Sequence, residues 1–182
     1  ILVQNINAYR DYLIERAQTW EHQALVRARA IIGDPAVVER FDGIRREVLA
    51  INRDKEKLKN EVKNMRERML KELDKSGKDG FDLKQGKGGI IDIEFIVQYL
   101  TLLHAGKNYS LILWTDVVRL LGSMVENKIL DEDTAYAIRN AYLIYRAYFH
   151  KLSLQKMPKI IKDEHFLEHR QKIIALYERL LQ

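Results

Sequence analysis

Gly88-Gly89-Ile90-Ile91-Asp92-Ile93-Glu94-Phe95-Ile96-Val97-Gln98-Tyr99-Leu100-Thr101-Leu102-Leu103 is the stretch on which the fold turns. Two glycines punctuate the chain, and the residues that follow are apolar at nearly every position of a helical wheel. A helix with one apolar stripe lies at a surface, whereas one apolar nearly all round is buried among other elements. The stretch therefore predicts a central buried helix from Ile90, with Gly106 as its C-cap.

Working outward, the flanks read as helices that could surround it. Tyr9, Leu13, Ala17, Trp20, Ala24 and Ala28 recur every three or four residues, one long helical stripe. Asp34 as N-cap with Pro35 at the first helical position starts the next helix, carrying Val38, Phe41, Ile44, Val48 and Leu49. Residues 53–78 hold ten basic and six acidic side chains, yet Leu58, Val62, Met65, Met69 and Leu73 keep a narrow apolar face. Five of the nine glycines fall between Gly77 and Gly89, where Phe81-Asp82-Leu83-Lys84 alternates like a short extended piece. Beyond the central helix, Thr115 and Asp116 can cap a helix running to about Asn127. Asp131 caps another, with Ala135, Ile138, Tyr142, Tyr145, Phe149 and Leu152 inward, until Pro158 breaks it. A last helix runs from about Asp163 with Phe166, Ile173, Leu176 and Leu180 inward. The sum is an all-α bundle of six or seven helices.

Composition agrees. The chain has 182 residues, 47% hydrophobic, with 9 Tyr, 5 Phe and 2 Trp, enough for one packed domain. Two prolines and nine glycines disfavour a many-stranded protein. No cysteine is present, which excludes disulfides, thiolate metal sites, iron–sulfur clusters and a cysteine nucleophile. Ile96–Leu103 and Leu111–Trp114 fall far short of the roughly 20 apolar residues a membrane span needs. The net charge of +5 is a mild excess with both signs interspersed, so nucleic-acid binding is an unfavoured reading. The abrupt apolar start Ile1-Leu2-Val3, without Met, reads as part of a longer, cytoplasmic protein.

Two segments could carry chemistry. In the first, Gly86-Lys87-Gly88-Gly89 runs into a helix start, where free N–H groups suit phosphate and Lys84 and Lys87 add charge. Asp92 and Glu94 sit in that helix's first turn. The same residues are equally what a plain turn and a dipole-complementing helix start contain, and the spacing is not that of a Walker A loop. The second is Trp20-Glu21-His22-Gln23-Ala24-Leu25-Val26-Arg27-Ala28-Arg29, whose periodicity on its own favours packing. His165 and His169, four apart, have no third ligand in sequence, and no metal site is expected. Nothing pairs a nucleophile with a base.

Those two segments, the first continued through Ile90-Ile91-Asp92-Ile93-Glu94-Phe95-Ile96, closely resemble the bacterial glutamine synthetase adenylyltransferase family (glutamate–ammonia-ligase adenylyltransferase). Phe41-Asp42, Arg45-Arg46-Glu47, Glu61-Val62, Met65-Arg66-Glu67-Arg68-Met69, Trp114-Thr115-Asp116, Val118-Arg119 and Leu152-Ser153-Leu154-Gln155 fit as well. The resemblance spans about residues 2–156 and weakens beyond. It implies a protein of two similar halves, each a nucleotidyltransferase core followed by a helical domain. One half transfers AMP from ATP to a tyrosine of glutamine synthetase; the other removes it by phosphorolysis. The Trp-Glu-His-Gln motif resembles the C-terminal, adenylylating half.

On that resemblance residues 1–7 are an extended remnant of the α/β nucleotidyltransferase core and residues 8–182 the helical domain. ATP and Mg²⁺ are cofactors of the intact enzyme; the carboxylates that hold the metal belong to the core, so the isolated chain is expected to be inactive. The partners implied are glutamine synthetase, the PII signalling protein and the chain's own core. Arg27, Arg29, Lys84, Lys87, Gly88 and Gly89 become candidates for nucleotide contact, and Glu21, Asp92 and Glu94 for orienting them or for meeting the neighbouring domain. The alternative is an interaction domain that docks a partner and touches no nucleotide.

Overall fold

The computed structural model describes residues 4–77 and 80–181, with the side chains of Asp163 and His165 left aside. The described residues form α1 (Ile6–Glu15), α2 (Thr19–Val26), α3 (Pro35–Leu49), α4 (Lys55–Leu73), β1 (Gly80–Asp82), α5 (Ile90–His104), α6 (Ser110–Leu113), α7 (Val117–Glu126), α8 (Glu132–Leu154), β2 (Ile160–Lys162), a 3-10 turn (Asp163–Phe166) and α9 (Leu167–Leu181). Helices dominate, as the periodicity requires, and none is long and apolar enough to cross a membrane.

α5 is the hub. Every residue from Ile90 to Leu102 is buried except Glu94. α2, α4, α6, α7, α8 and α9 all pack on it, which is what an all-round apolar helix demands. One contiguous core results, with Ile93, Ile96, Tyr99 and Leu102 meeting Val26, Val62, Leu111, Leu120, Tyr145 and Ile173. The N-caps read from sequence are present: Asp34 accepts from the Ala36 N–H, Asp116 from Arg119 and Asp131 from Thr134; Asp54, which sequence reading did not single out, caps α4 by accepting from Lys57.

Four expectations need correction. The stripe from Tyr9 to Ala28 is two helices, because Gln18 is extended and starts α2 afresh; the Glu21 carboxylate accepts its N–H at 2.8 Å, an N-terminal capping arrangement. The charged helix stops at Leu73. Asp74 turns extended and its carboxylate accepts from both the N–H and the hydroxyl of Ser76, a local turn that competes with further helix; Lys78 lies outside the described residues. α5 is capped by Ala105, one residue before Gly106. Of the extended remnant, residues 1–3 lie outside the described residues, Gln4 and Asn5 are in no strand, and Ile6 opens α1 with Asn5 as its side-chain cap.

The short extended piece at Phe81 exists as β1. Its partner was not foreseen: β2 pairs with it antiparallel, Gly80 opposite Lys162, Phe81 opposite Ile161 and Asp82 opposite Ile160. The ribbon ties the glycine-rich turn to the chain's C-terminal third.

Candidate functional site

The turn into α5 is held from three sides. The Asp92 carboxylate receives Arg66 Nε through one oxygen and the Gly88 N–H through the other, at 2.5 Å. Arg66 also donates through Nη2 to the Gln85 carbonyl at 2.7 Å. From α9, Arg170 Nε donates to the Lys87 carbonyl at 2.9 Å, and its guanidinium lies 4.5 Å from the Phe81 ring centre. Gly88 has φ +83°, and a Cβ there would sit 2.8 Å from Arg170; only glycine fits both demands.

This geometry bears on the phosphate reading. The N–H groups of Gly88, Gly89, Ile90 and Ile91 donate to the Asp92 carboxylate and to the carbonyls of Gly86, Leu83 and Lys84. The amides that would cradle a phosphate are thus engaged within the chain. Lys84 and Lys87 are exposed and separate: Lys84 borders an apolar hollow beside Leu73 and Ile160, while Lys87 pairs with Glu178 of α9 at 3.0 Å.

The α2 segment is assembled by buried arginines. Arg45 of α3 donates to the carbonyls of Leu25 and Val26 at the end of α2, and to those of Ile112 and Trp114. It thereby caps two helix ends that would otherwise leave orphan acceptors, and burial draws its pKa down. Arg53 does the same for Val48, Leu49, Ile51 and Leu102, with its pKa lowered by burial to about 10. Arg53 also faces His22 Nδ1 at 3.3 Å, and His22 Nε2 bonds the Leu13 carbonyl at 2.8 Å. Nε2 is therefore the protonated nitrogen of a neutral ring, and burial holds the His22 pKa down. Glu21 is a structural cap; its second oxygen receives the Tyr12 hydroxyl at 2.5 Å.

The two sequence segments meet in one contact. Arg27 Nη1 forms an ion pair with Glu94, the one position in the run from Ile90 to Leu102 that is not fully buried. Two residues further on, Arg29 lines an open cavity of about 420 Å³ with Asp42, Arg46, Tyr109, Trp114 and Arg119. Arg46 Nη1 donates to the Tyr109 hydroxyl at 3.2 Å. Arg119 lies 4.4 Å over the Trp114 ring and binds Asp116 at 2.6 Å. Arg29, Arg46 and Arg119 against Asp42 leave this cavity basic, with aromatic walls. The four cations singled out from sequence do not converge: Arg29 lines this cavity, Arg27 stands beside it on Glu94, and Lys84 and Lys87 lie on other cavities.

Arg45, Arg46, Arg53, Arg66 and Arg119 received no role from sequence reasoning. A signal for two of them existed. Arg66 follows Leu58 and Val62 at steps of four, and Arg45 follows Phe41 likewise, so each is a cation placed on an apolar stripe. Such a residue is buried with partners or the stripe is wrong. Among the described residues no group of three His, Asp or Glu side chains could hold a metal ion.

Residues 56–175 match the family model described as GlnD PII-uridylyltransferase, a match taking in well over half of the chain, and the chain belongs to that family. Residues 1–44 match the model described as Glutamate-ammonia ligase adenylyltransferase. Across all 182 residues the chain is 44% identical to the bifunctional glutamine synthetase adenylyltransferase/adenylyl-removing enzyme of Methylococcus capsulatus, covering 100% of this chain and 19% of that protein. The resemblance carried by the two motifs is thus borne out. The Arg27–Glu94 pair joins a residue of one matched region to a residue of the other.

Proposed function

We propose that the chain is the helical domain of an enzyme that transfers AMP from ATP to a tyrosine of glutamine synthetase and, in the intact protein, also removes it. The 44% identity along the whole chain carries this reading. The chain spans about a fifth of that relative's length, so the chemistry is shared with residues outside it. The reading includes a cytoplasmic location, the PII signalling protein as a partner and the adenylylating half as the chain's place.

The domain's part is to wall the nucleotide cleft. The basic cavity at Arg29 fits a polyphosphate: three further arginines, Arg45, Arg46 and Arg119, line it, and Trp114 and Tyr109 offer aromatic surface. Glu94 holds Arg27 and so orients the loop that carries Arg29. Lys84 and Lys87 are left out of this cleft, and Gly88, Gly89 and Asp92 act on it only through the start of α5. Mg²⁺ does not fit the described residues, which offer no carboxylate cluster. Carboxylates for it must come from the nucleotidyltransferase core.

In the intact enzyme Arg29→Ala should raise KM for ATP at least several-fold and leave KM for glutamine synthetase unchanged. An unaltered ATP dependence rejects the cleft assignment. The 182-residue chain alone should incorporate no AMP into glutamine synthetase with ATP and Mg²⁺; incorporation would overturn the division of labour.

A second reading has one observation in its favour. Ile31 and Ile32, just after Arg29, are 85% and 94% exposed. In that reading the helical surface docks glutamine synthetase, PII or the other half and touches no nucleotide. Ile31→Ser with Ile32→Ser should then abolish partner modification in the intact enzyme while ATP binding stays intact.

A further inference from the structure

The turn at Lys87 lies over a second cavity that the nucleotide reading does not use. Three cations (Lys63, Arg66 and Lys87), three carboxylates (Glu67, Asp92 and Glu178) and Tyr177 line a space of about 250 Å³ between α4, the start of α5 and α9. Two groups there have no hydrogen-bond partner among the described residues, Arg66 Nη1 and the Tyr177 hydroxyl. Arg66 is 4% exposed. A guanidinium nitrogen can only donate, and buried polar atoms are nearly always bonded. Asp92 faces them without serving either: its oxygens receive Arg66 Nε and the Gly88 N–H. No described residue supplies the acceptor that Arg66 Nη1 lacks.

We propose that this cavity binds a small oxyanion, a carboxylate or a phosphate, on Arg66 Nη1 and the Tyr177 hydroxyl, with the Lys63 and Lys87 ammonium groups at its mouth. The two donors lie beneath the surface, so the ligand enters by parting the exposed Lys87–Glu178 pair. The volume equals about eight waters of the liquid, room for phosphate or a short dicarboxylate and too little for a nucleotide. Charge-assisted bonds from a guanidinium to an oxyanion are the strong class. The site is separate from the Arg29 cavity and stands whether or not that cavity binds ATP.

The test is a titration of the 182-residue chain with sodium phosphate in one arm and sodium succinate in the other, against sodium chloride at equal ionic strength, following Tm. A saturable rise above the chloride control in either arm is expected, and the arm that gives it identifies the source. Tyr177→Phe should weaken that binding roughly tenfold, the effect of losing a hydrogen bond to a charged group. Its Tm without added anion should match or exceed that of the original chain, since the hydroxyl removed has no partner. Lys63→Ala, at a partly exposed position, should weaken binding more modestly. No saturable rise in either arm, or Tyr177→Phe binding as tightly as the original chain, overturns the proposal.

Discussion

Asp92 and Glu94 are two residues apart on one helix, each paired with an arginine from another helix or loop, and they live in different physical regimes. Asp92 is 5% exposed in its side chain and Arg66 4%, so their pair is taken out of water. Glu94 is 11% exposed and Arg27 38%, so that pair is half in solvent. Removing one partner of a buried pair strands a charge and costs several kcal/mol, whereas a solvated pair is worth little because water and salt replace it. The same chemical unit is thus structural on one face of α5 and adjustable on the other. The adjustable one stands next to the cavity that we assign to nucleotide.

The sharpest way to break this contrast is Asp92→Ala. It leaves Arg66 buried without a counter-charge and the Gly88 N–H without an acceptor, and the expected loss is about 3–5 kcal/mol in urea unfolding. A loss below about 1 kcal/mol would mean that water reaches Arg66 and that the two pairs do not differ in kind.

Next in size is Arg45→Met, which keeps the bulk and removes every donor. Three buried carbonyls and the half-buried one of Trp114, at the ends of α2 and α6, then lose their partner. About 2–3 kcal/mol should go, because leaving buried acceptors unsatisfied costs more than making the bonds gains. This variant asks whether a buried cation bonded to carbonyls alone behaves like Arg66 or like Arg27.

His22 extends the contrast to pH. Burial holds its ring neutral in the fold, with the pKa below the usual 6.5. The unfolded chain therefore binds the proton more readily, and its contribution to stability is full above about pH 6.5 and is lost as pH falls below that. His104, also lowered by burial, acts in the same direction. Tm should drop between pH 7.5 and 5.5, and His22→Gln should flatten that drop without abolishing it. An unchanged slope would take His22 out of the buried network.

Much of this was open to sequence reading, and the limits are instructive. The N-caps at Asp34, Asp116 and Asp131 and the burial of α5 followed from residues acting locally or by period, and both signals are written along the chain. The break at Gln18 was missed because Ala17, Trp20 and Ala24 keep a helical beat across it; a beat records which faces are apolar, not whether the backbone between them is continuous. β2 was missed because three residues beside Pro158 carry no pattern until β1 is there to pair with. At the candidate site, glycines and lysines beside a helix start looked like a phosphate cradle. The decisive fact, that Asp92 folds back onto the Gly88 N–H, is a matter of side-chain direction that spacing leaves open.

The smallest expected effect bears most on function. A double-mutant cycle on Arg27→Ala and Glu94→Ala should give a coupling below about 1 kcal/mol in stability, weakening further in salt. The stability of the fold would hardly register the pair. In the intact enzyme the same two substitutions should each raise KM for ATP, and together no more than either alone, because Glu94 acts through Arg27 on the loop that carries Arg29. Coupling in stability as large as that expected for Asp92 with Arg66 would make both pairs structural. Additive effects on KM would make Glu94 act on the cleft by another route than Arg27.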